Sequence, residues 1–286
     1  MLNSMRSLPL LVAFLVLAGC HKQTSPAAGG VPQRIVSITI TGDVLLDALH
    51  IAPARIQAVS ALADDSGIHE AAGCFAGKPR LGANLEKILA LRPDLVIVGS
   101  FHDPAFLQGL NDAGVPLLHL EDPSSIARVR DFLHTASTRL GAAATGDSLV
   151  HWMDSTLAAV EARNRSCPAD TPSVLYWSDG YTAGTQCTLN ELMHIAGVRN
   201  LGANIGRVRA SRIATEDLAG LSPDWILLSD WHHQGEIPFP EQAKRLSAWK
   251  NGKIVHLSGK LLLSTSHRLA LAADSLQKAF HRGCEK

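Results

Sequence analysis

Two short segments join an aromatic ring to imidazoles: Ser100-Phe101-His102-Asp103 and Asp230-Trp231-His232-His233. Neutral imidazole is a common ligand of haem iron and of transition metals, and flat rings bury apolar area without flexible side chains. Trp177 and Tyr181 add rings to the same inventory, in a chain with only five Trp, two Tyr and seven Phe. The chemistry suggested is the holding of a flat or metal-bearing molecule. His102, His232, His233 and His267 are the histidines expected at such a ligand, with His102 and His232 the candidate metal contacts. His50, His134, His151, His194 and His281 fall on expected helices and read as ordinary surface or core residues, while His119 and His256 read most simply as strand ends. The paired, short-spaced histidines of a structural zinc site are absent from the sequence. So are G-x-S-x-G, a Walker loop, H-E-x-x-H and G-x-G-x-x-G, which argues against the common enzyme classes. A metal-dependent envelope enzyme using these histidines is the alternative of another class, and turnover of the ligand separates it from a receptor.

The elements that must position these residues are written twice. Residues 85–98 match residues 215–228 position by position at an offset of 130. Each copy reads as a short amphipathic helix with Glu86 or Glu216 at its start, a Pro-Asp stop, and an apolar run short enough to be a strand buried on both faces. Residues 117–120 match residues 254–257, and the β-rich residues 34–40 have a counterpart in residues 173–177. Three matching pieces in one order imply two similar α/β lobes, residues 34–122 and 167–286. In open parallel sheets ligands sit beyond the carboxyl ends of strands. The aromatic-histidine segments follow the repeated strands directly, so both are expected at one cleft. Between the lobes, residues 123–166 carry two helical patterns, 126–140 and 143–163. The second has no proline, only Gly146 as a weak point, and Leu149, Trp152, Leu157 and Val160 near one face. It predicts a stiff strut about 30 Å long.

Residues 1–19 predict a leader: Arg6, an apolar run too short to span a bilayer, then Leu17-Ala18-Gly19-Cys20. The last four residues resemble a bacterial lipobox, which implies lipidation of Cys20. Residues 20–33, with Pro26 and Gly29-Gly30, predict a flexible tether. Formal charge is balanced overall, and losing Arg6 makes the mature chain negative by one, so nothing in it is built to hold nucleic acid. After the leader no apolar run reaches spanning length, and the expected attachment to membrane is through lipid alone.

With these pieces in order, the chain resembles the class III periplasmic substrate-binding proteins, receptors of ABC importers for iron chelates, haem and vitamin B12. The resemblance rests on residues 34–37 leading to Thr41-Gly42-Asp43, on Asn84-Leu85-Glu86 with residues 91–97, on residues 190–200, on Glu216 with Pro223-Asp224, and on Ser266-His267-Arg268. It implies an α/β fold of two Rossmann-like lobes joined by a long rigid α-helix, with a ligand cleft between them and limited lobe motion. Thr41 would join Phe101, His102, Trp177, Tyr181, Trp231, His232, His233 and His267 in that cleft. The implied function is that of a periplasmic, lipid-anchored substrate-binding protein delivering a metal chelate to an ABC permease with its ATPase. The chelate would be cobalamin or a ferric siderophore, with haem or a free metal ion as alternatives; no built-in cofactor and no catalysis are implied. Relatives dock through one acidic residue per lobe. Glu216 takes the second-lobe position and Asp103 is the nearest first-lobe candidate.

Four cysteines remain beyond Cys20. Cys167 and Cys284 are both expected at the end of the second lobe away from the cleft, so a bridge between them is geometrically sensible; its loop of over 100 residues would contribute about 4 to 5 kcal/mol. Cys74 and Cys187 are left as free thiols, a bridge, or ligand contacts. Arg207, Arg209 and Arg212, with Arg80, either neutralise an anionic chelate or form a solvated basic loop.

Overall fold

The run Leu95-Val96-Ile97-Val98 has no polar side to give to water, and the chain buries all of it in the middle of a parallel sheet. The computed structural model describes residues 30–69, 72–120, 124–166, 170–229 and 239–281. The leader, Cys20, Cys167, Trp231, His232, His233 and Cys284 lie outside the described residues. The first half runs β1 (Ile35–Ser37), α1 (Ile40–Ala48), β2 (Ile56–Ser60), β3 (Arg80–Leu81), α2 (Leu85–Ala90), β4 (Leu95–Gly99), α3 (Pro104–Asp112) and β5 (Leu117–Leu120). Its sheet has the order β3-β2-β1-β4-β5, with every pairing parallel. Helices α4 (Ile126–Arg139) and α5 (Ala143–Arg165) follow.

The second half runs β6 (Ser173–Trp177), β7 (Tyr181–Ala183), α6 (Thr188–Ile195), β8 (Arg199–Asn200), α7 (Leu201–Asn204), β9 (Ala210–Arg212), α8 (Thr215–Ala219), β10 (Trp225–Leu228), α9 (Ser247–Lys250), β11 (Ile254–His256), α10 (Gly259–Leu262) and α11 (Leu269–Phe280). Its main sheet, β11-β10-β6-β8, is also parallel, and β7 pairs with β9 in a separate antiparallel ribbon. The order β2-β1-β4-β5 and the order β8-β6-β10-β11 are the same topology. That is the repeat read in the sequence, now as structure. The fold is thus α/β, with a doubly wound parallel sheet in each half.

The Pro-Asp of the repeat has a structural task. Asp94 accepts the backbone N–H groups of Gln33 and Arg34 at 2.7 and 2.8 Å, holding the residues that lead into β1. Asp224 does the same for β6, accepting Ser173 N–H at 2.8 Å and its hydroxyl at 2.6 Å. Val31 to Gln33, expected in the tether, are therefore tied to the body, and the Pro32 carbonyl accepts from Arg55 at 2.7 Å. Strand β1 is shorter than the β-rich pattern of residues 34–40. Thr39 turns away to cap α1, its hydroxyl accepting Gly42 N–H at 3.0 Å. Gly42 lets that helix lie on the sheet, since a Cβ there would come within 2.6 Å of Ser37 Oγ and 2.8 Å of Ile97 Cγ2.

Alternation along the strands divides the core. Ile35, Leu95, Ile97, Tyr176 and Leu227 face a large core that also takes Met153, Leu157 and Val160 of α5. Val36, Val96 and Val98 face a second layer, and Leu175, Trp177, Ile226 and Leu228 a third. Each large apolar side chain buried there contributes about 1.5 to 3 kcal/mol. Helix α5 spans 23 residues, or about 35 Å. Its buried stripe is Gly146, Met153, Leu157 and Val160, whereas Trp152, expected beside them, is 40% exposed. Gly146 is a contact point instead of a weak one. A Cβ there would sit 2.1 Å from Ser137 Oγ of α4, so glycine sets how closely α4 and α5 approach. No described helix is long and apolar enough to cross a membrane.

Candidate functional site

A cavity of about 940 Å³ opens at the carboxyl ends of β1, β4 and β5. That is the side of a parallel sheet, at its reversal of strand order, where ligands are expected. The first half contributes Thr41 from the first turn of α1, Ser100 and Phe101 after β4, and Leu118, His119 and Leu120 of β5. Helix α4 supplies a continuous face, Arg128, Asp131, Phe132 and Thr135, with Val129 beneath. The second half reaches in with Arg209 and Thr265. Thr41 and Thr265 touch across 224 residues of chain, their hydroxyl oxygens 2.5 Å apart. A second link joins the halves where Lys260 Nζ donates to the Ser66 carbonyl at 2.9 Å. At about 940 Å³ the cavity lies near the top of the range for small-molecule sites, which suits a large ligand.

The expected site residues divide. Thr41 and Phe101 line the cavity, Phe101 with 78% of its surface exposed. His102 does not. Its Nδ1 lies 3.0 Å from the Gly99 N–H at the end of β4, and its ring packs between Phe101 and Phe106 at 4.6 and 5.8 Å. Trp177 is a core residue, 5% exposed and edge-on to Phe239 at 5.5 Å, because the alternation of β6 turns it to the outer layer. Tyr181 stands on the β7–β9 ribbon, away from the lining, where Arg212 Nε donates to its hydroxyl at 3.2 Å and the guanidinium lies over its ring. His267 is 8% exposed behind Thr265, edge-on to Trp152 at 5.6 Å, and burial lowers its pKa to about 4. It is a neutral, buried imidazole at neutral pH.

Among the arginines singled out in the sequence, Arg209 alone reaches the lining. Arg80 holds Asp64 through both its Nε and Nη2, at 2.8 and 2.6 Å, Arg207 pairs with Asp217, and Arg212 stacks on Tyr181. Cys187 donates its thiol to the Gly184 carbonyl at 3.2 Å. Cys74 is an exposed thiol, and partial burial together with nearby Asp47 raises its pKa, which makes it a poor nucleophile or metal ligand. Among the described residues no group of three or more His, Cys, Asp or Glu side chains could hold a metal ion.

His119 and the α4 face were missed. His119 reads in the sequence as a strand end, and it lies on edge strand β5, where the wall of the cavity continues beyond the reversal between β1 and β4. The sequence places the α4 residues in the connection between the lobes, because apolar spacing marks the buried face and says nothing about the opposite one. A second cavity, about 650 Å³, lies in the second half beside exposed Glu216, with Gln242 and Arg245 in its wall. Asp103 is committed to capping α3, its Oδ1 accepting Ala105 and Phe106 N–H at 2.7 and 3.2 Å.

Residues 74–261 match the family model described as periplasmic binding protein. The chain belongs to that family. A substrate-binding lipoprotein of an ABC transporter from Bacillus subtilis, YvrC, is 22% identical over 209 residues, 70% of this chain and 66% of the relative. A cobalamin-binding protein of Halobacterium salinarum is 21% identical over 206 residues, 69% of this chain and 56% of that one. This periplasmic binding protein therefore spans just under two-thirds of the first relative and little more than half of the second. Among solved structures, the haem-binding protein RhuT of Roseiflexus superposes with a TM-score of 0.73 at 24% identity, covering 88% of this chain and 99% of its own. The vitamin B12 binding protein BtuF of Vibrio cholerae gives 0.70 at 19% identity, covering 87% and 96%. These superpositions show a shared fold with two-lobed periplasmic binding proteins.

Proposed function

We propose that this periplasmic binding protein is the receptor of an ABC importer, held at the membrane by lipid on Cys20, and that its cargo is a metal chelate such as cobalamin, a ferric siderophore or haem. The observation that carries this reading is the cavity whose walls come from both halves, joined at Thr41 and Thr265. A molecule held there meets residues of both halves at once. Apolar Phe101, Phe132 and Leu118 offer a flat ligand a surface, while Arg128, Arg209 and His119 offer polar and metal-directed contacts. No catalytic step is proposed. Docking on the permease is assigned to Glu216, exposed in the first turn of α8. In the first half the repeat favours Glu86 over Asp103: it stands 130 residues earlier, exposed in the first turn of α2, and does not cap a helix. Native mass spectrometry of the protein from its own periplasm, with an absorption spectrum beside it, tests the reading. One chelate per chain, released chemically unchanged, is the expected result. Purification with no small molecule and no binding of any added chelate would overturn it, and turnover of the ligand would move the protein to the enzyme class.

A further inference from the structure

One buried carboxylate holds both ends of a loop. Asp43 of α1 accepts the Ser60 N–H at 3.1 Å and lies 3.2 Å from His69 Nε2, so the chain leaves and returns to the same side chain. Between these points the turn is tight. The Asp65 carboxylate accepts the Gly67 N–H at 2.9 Å, and the Asp65 carbonyl accepts the His69 N–H at 2.8 Å. Ala63 and Ile68 pack inward, which leaves Ser66 exposed at the tip. Its carbonyl accepts from Lys260 Nζ of the second half at 2.9 Å. Lys260 opens a segment, residues 260–268, that meets the first half again: Thr265 touches Thr41 in the cavity wall, and the charge of Arg268 is felt by Cys74. His267 braces this segment against Trp152 of α5. Thr41 stands on α1 and Ser66 on the loop that α1 grips, so both partners belong to one rigid unit. A lysine ammonium is a point donor on a flexible stem, and its bond holds only while the carbonyl stays where the loop puts it.

We infer that Lys260 and the Ser66 carbonyl form a clasp between the two halves, and that buried His69 is its positioning residue, presenting Ser66 through Asp43. With the clasp closed, release from the cavity is slowed, a consequence that rests on the reading of the cavity as the cargo site. Hydrogen exchange of the full chain without ligand, read by mass spectrometry, tests the clasp itself. Lys260→Met should speed exchange in residues 61–69 about threefold to tenfold, and Lys260→Arg, which keeps a donor, should restore it. His69→Asn is too short to reach Asp43 and should speed exchange by a similar factor in residues 258–268 of the other half. His69→Gln, which keeps an N–H at that place, should bring it back. In the double variant Lys260→Met/His69→Asn, residues 258–268 should exchange no faster than in Lys260→Met. Faster exchange confined to residues 61–69 in His69→Asn would make His69 a local anchor and overturn its positioning role. Unchanged loop exchange in Lys260→Met would overturn the clasp. Should His69→Asn not fold, Lys260→Met decides: loosening that stops at residues 65–67 rejects the role of His69, and loosening that reaches the His69 amide supports it. Dissociation of cyanocobalamin and of haemin, followed by absorbance, should be about threefold faster in Lys260→Met. Binding of neither counts against the cargo reading and leaves the clasp to the exchange result, whereas binding with an unchanged rate would overturn the effect on release.

Discussion

Burial keeps the His267 imidazole uncharged, and this ties the stability of the protein to acidity. Its folded pKa is about 4, against 6.5 for an exposed histidine, because burial disfavours the charged ring and neighbouring Arg268 adds repulsion. Between those values the unfolded chain holds a proton that the folded chain does not. The contribution is therefore complete above about pH 6.5, falls as acid is added, and levels off below about pH 4. Allowing for residual solvation, the loss is on the order of 2 kcal/mol. Urea unfolding at pH 7 and pH 5 should show His267→Phe losing about 1 to 2 kcal/mol less than the wild type over that interval; equal losses would assign the acid response elsewhere. Trp177 makes a contrasting case. Packed on Phe239 in the outer layer, it is expected to cost about 3 to 5 kcal/mol of stability on change to Ala. Chelate affinity per folded molecule should stay unchanged, and a selective loss of affinity would return Trp177 to the site. Both residues were expected at the ligand because their types suit one. Type was legible in the chain; facing was not, since β6 is apolar on both sides and nothing in its alternation tells inner from outer.

The duplicated Pro-Asp shows how much an element can disclose when it is written twice. Strands β4 and β10 and their preceding helices were readable from the offset of 130 residues; the strand order of the two sheets was not. The reason for the aspartates was not, because Asp94 and Asp224 act on amides some 50 to 60 residues away in sequence. The Ser173 hydroxyl and N–H hold the Asp224 pKa below the usual carboxylate range, so its contribution is present above that range and disappears as pH falls through the lowered value. Because the group is exposed, Asp224→Ala should cost only about 1 to 2 kcal/mol at pH 7. The same substitution should cost less at pH 3 than at pH 7, because the contribution fades once the pH drops below the ordinary carboxylate value. Denaturant midpoints at the two pH values check this. A third carboxylate, Asp43, lies fully buried in α1, accepting Ser60 N–H at 3.1 Å and facing His69 Nε2 at 3.2 Å. His69 carried no signal in the sequence: an isolated histidine in a loop gives no hint that its partner sits 26 residues earlier on a helix.

At the scale of the molecule, the docking assignment and the shared core lead to separate expectations. Changing Glu216 or Glu86 to Arg should leave melting temperature and chelate affinity nearly intact while uptake falls sharply, since like charges brought together at an interface cost several kcal/mol. Undiminished uptake by both variants at normal expression would reject the docking role. The core that joins the two sheets through Met153, Leu157 and Val160 of α5 allows neither half to melt alone. Calorimetry should give one transition with matching calorimetric and van't Hoff enthalpies. A chain stopped after residue 142 would bare Leu133 and Ala136, and one begun at residue 143 would bare Met153 and Val160. Expressed separately, the two fragments should be insoluble. Expressed together, they should find each other through these surfaces and rebuild the cavity from two chains.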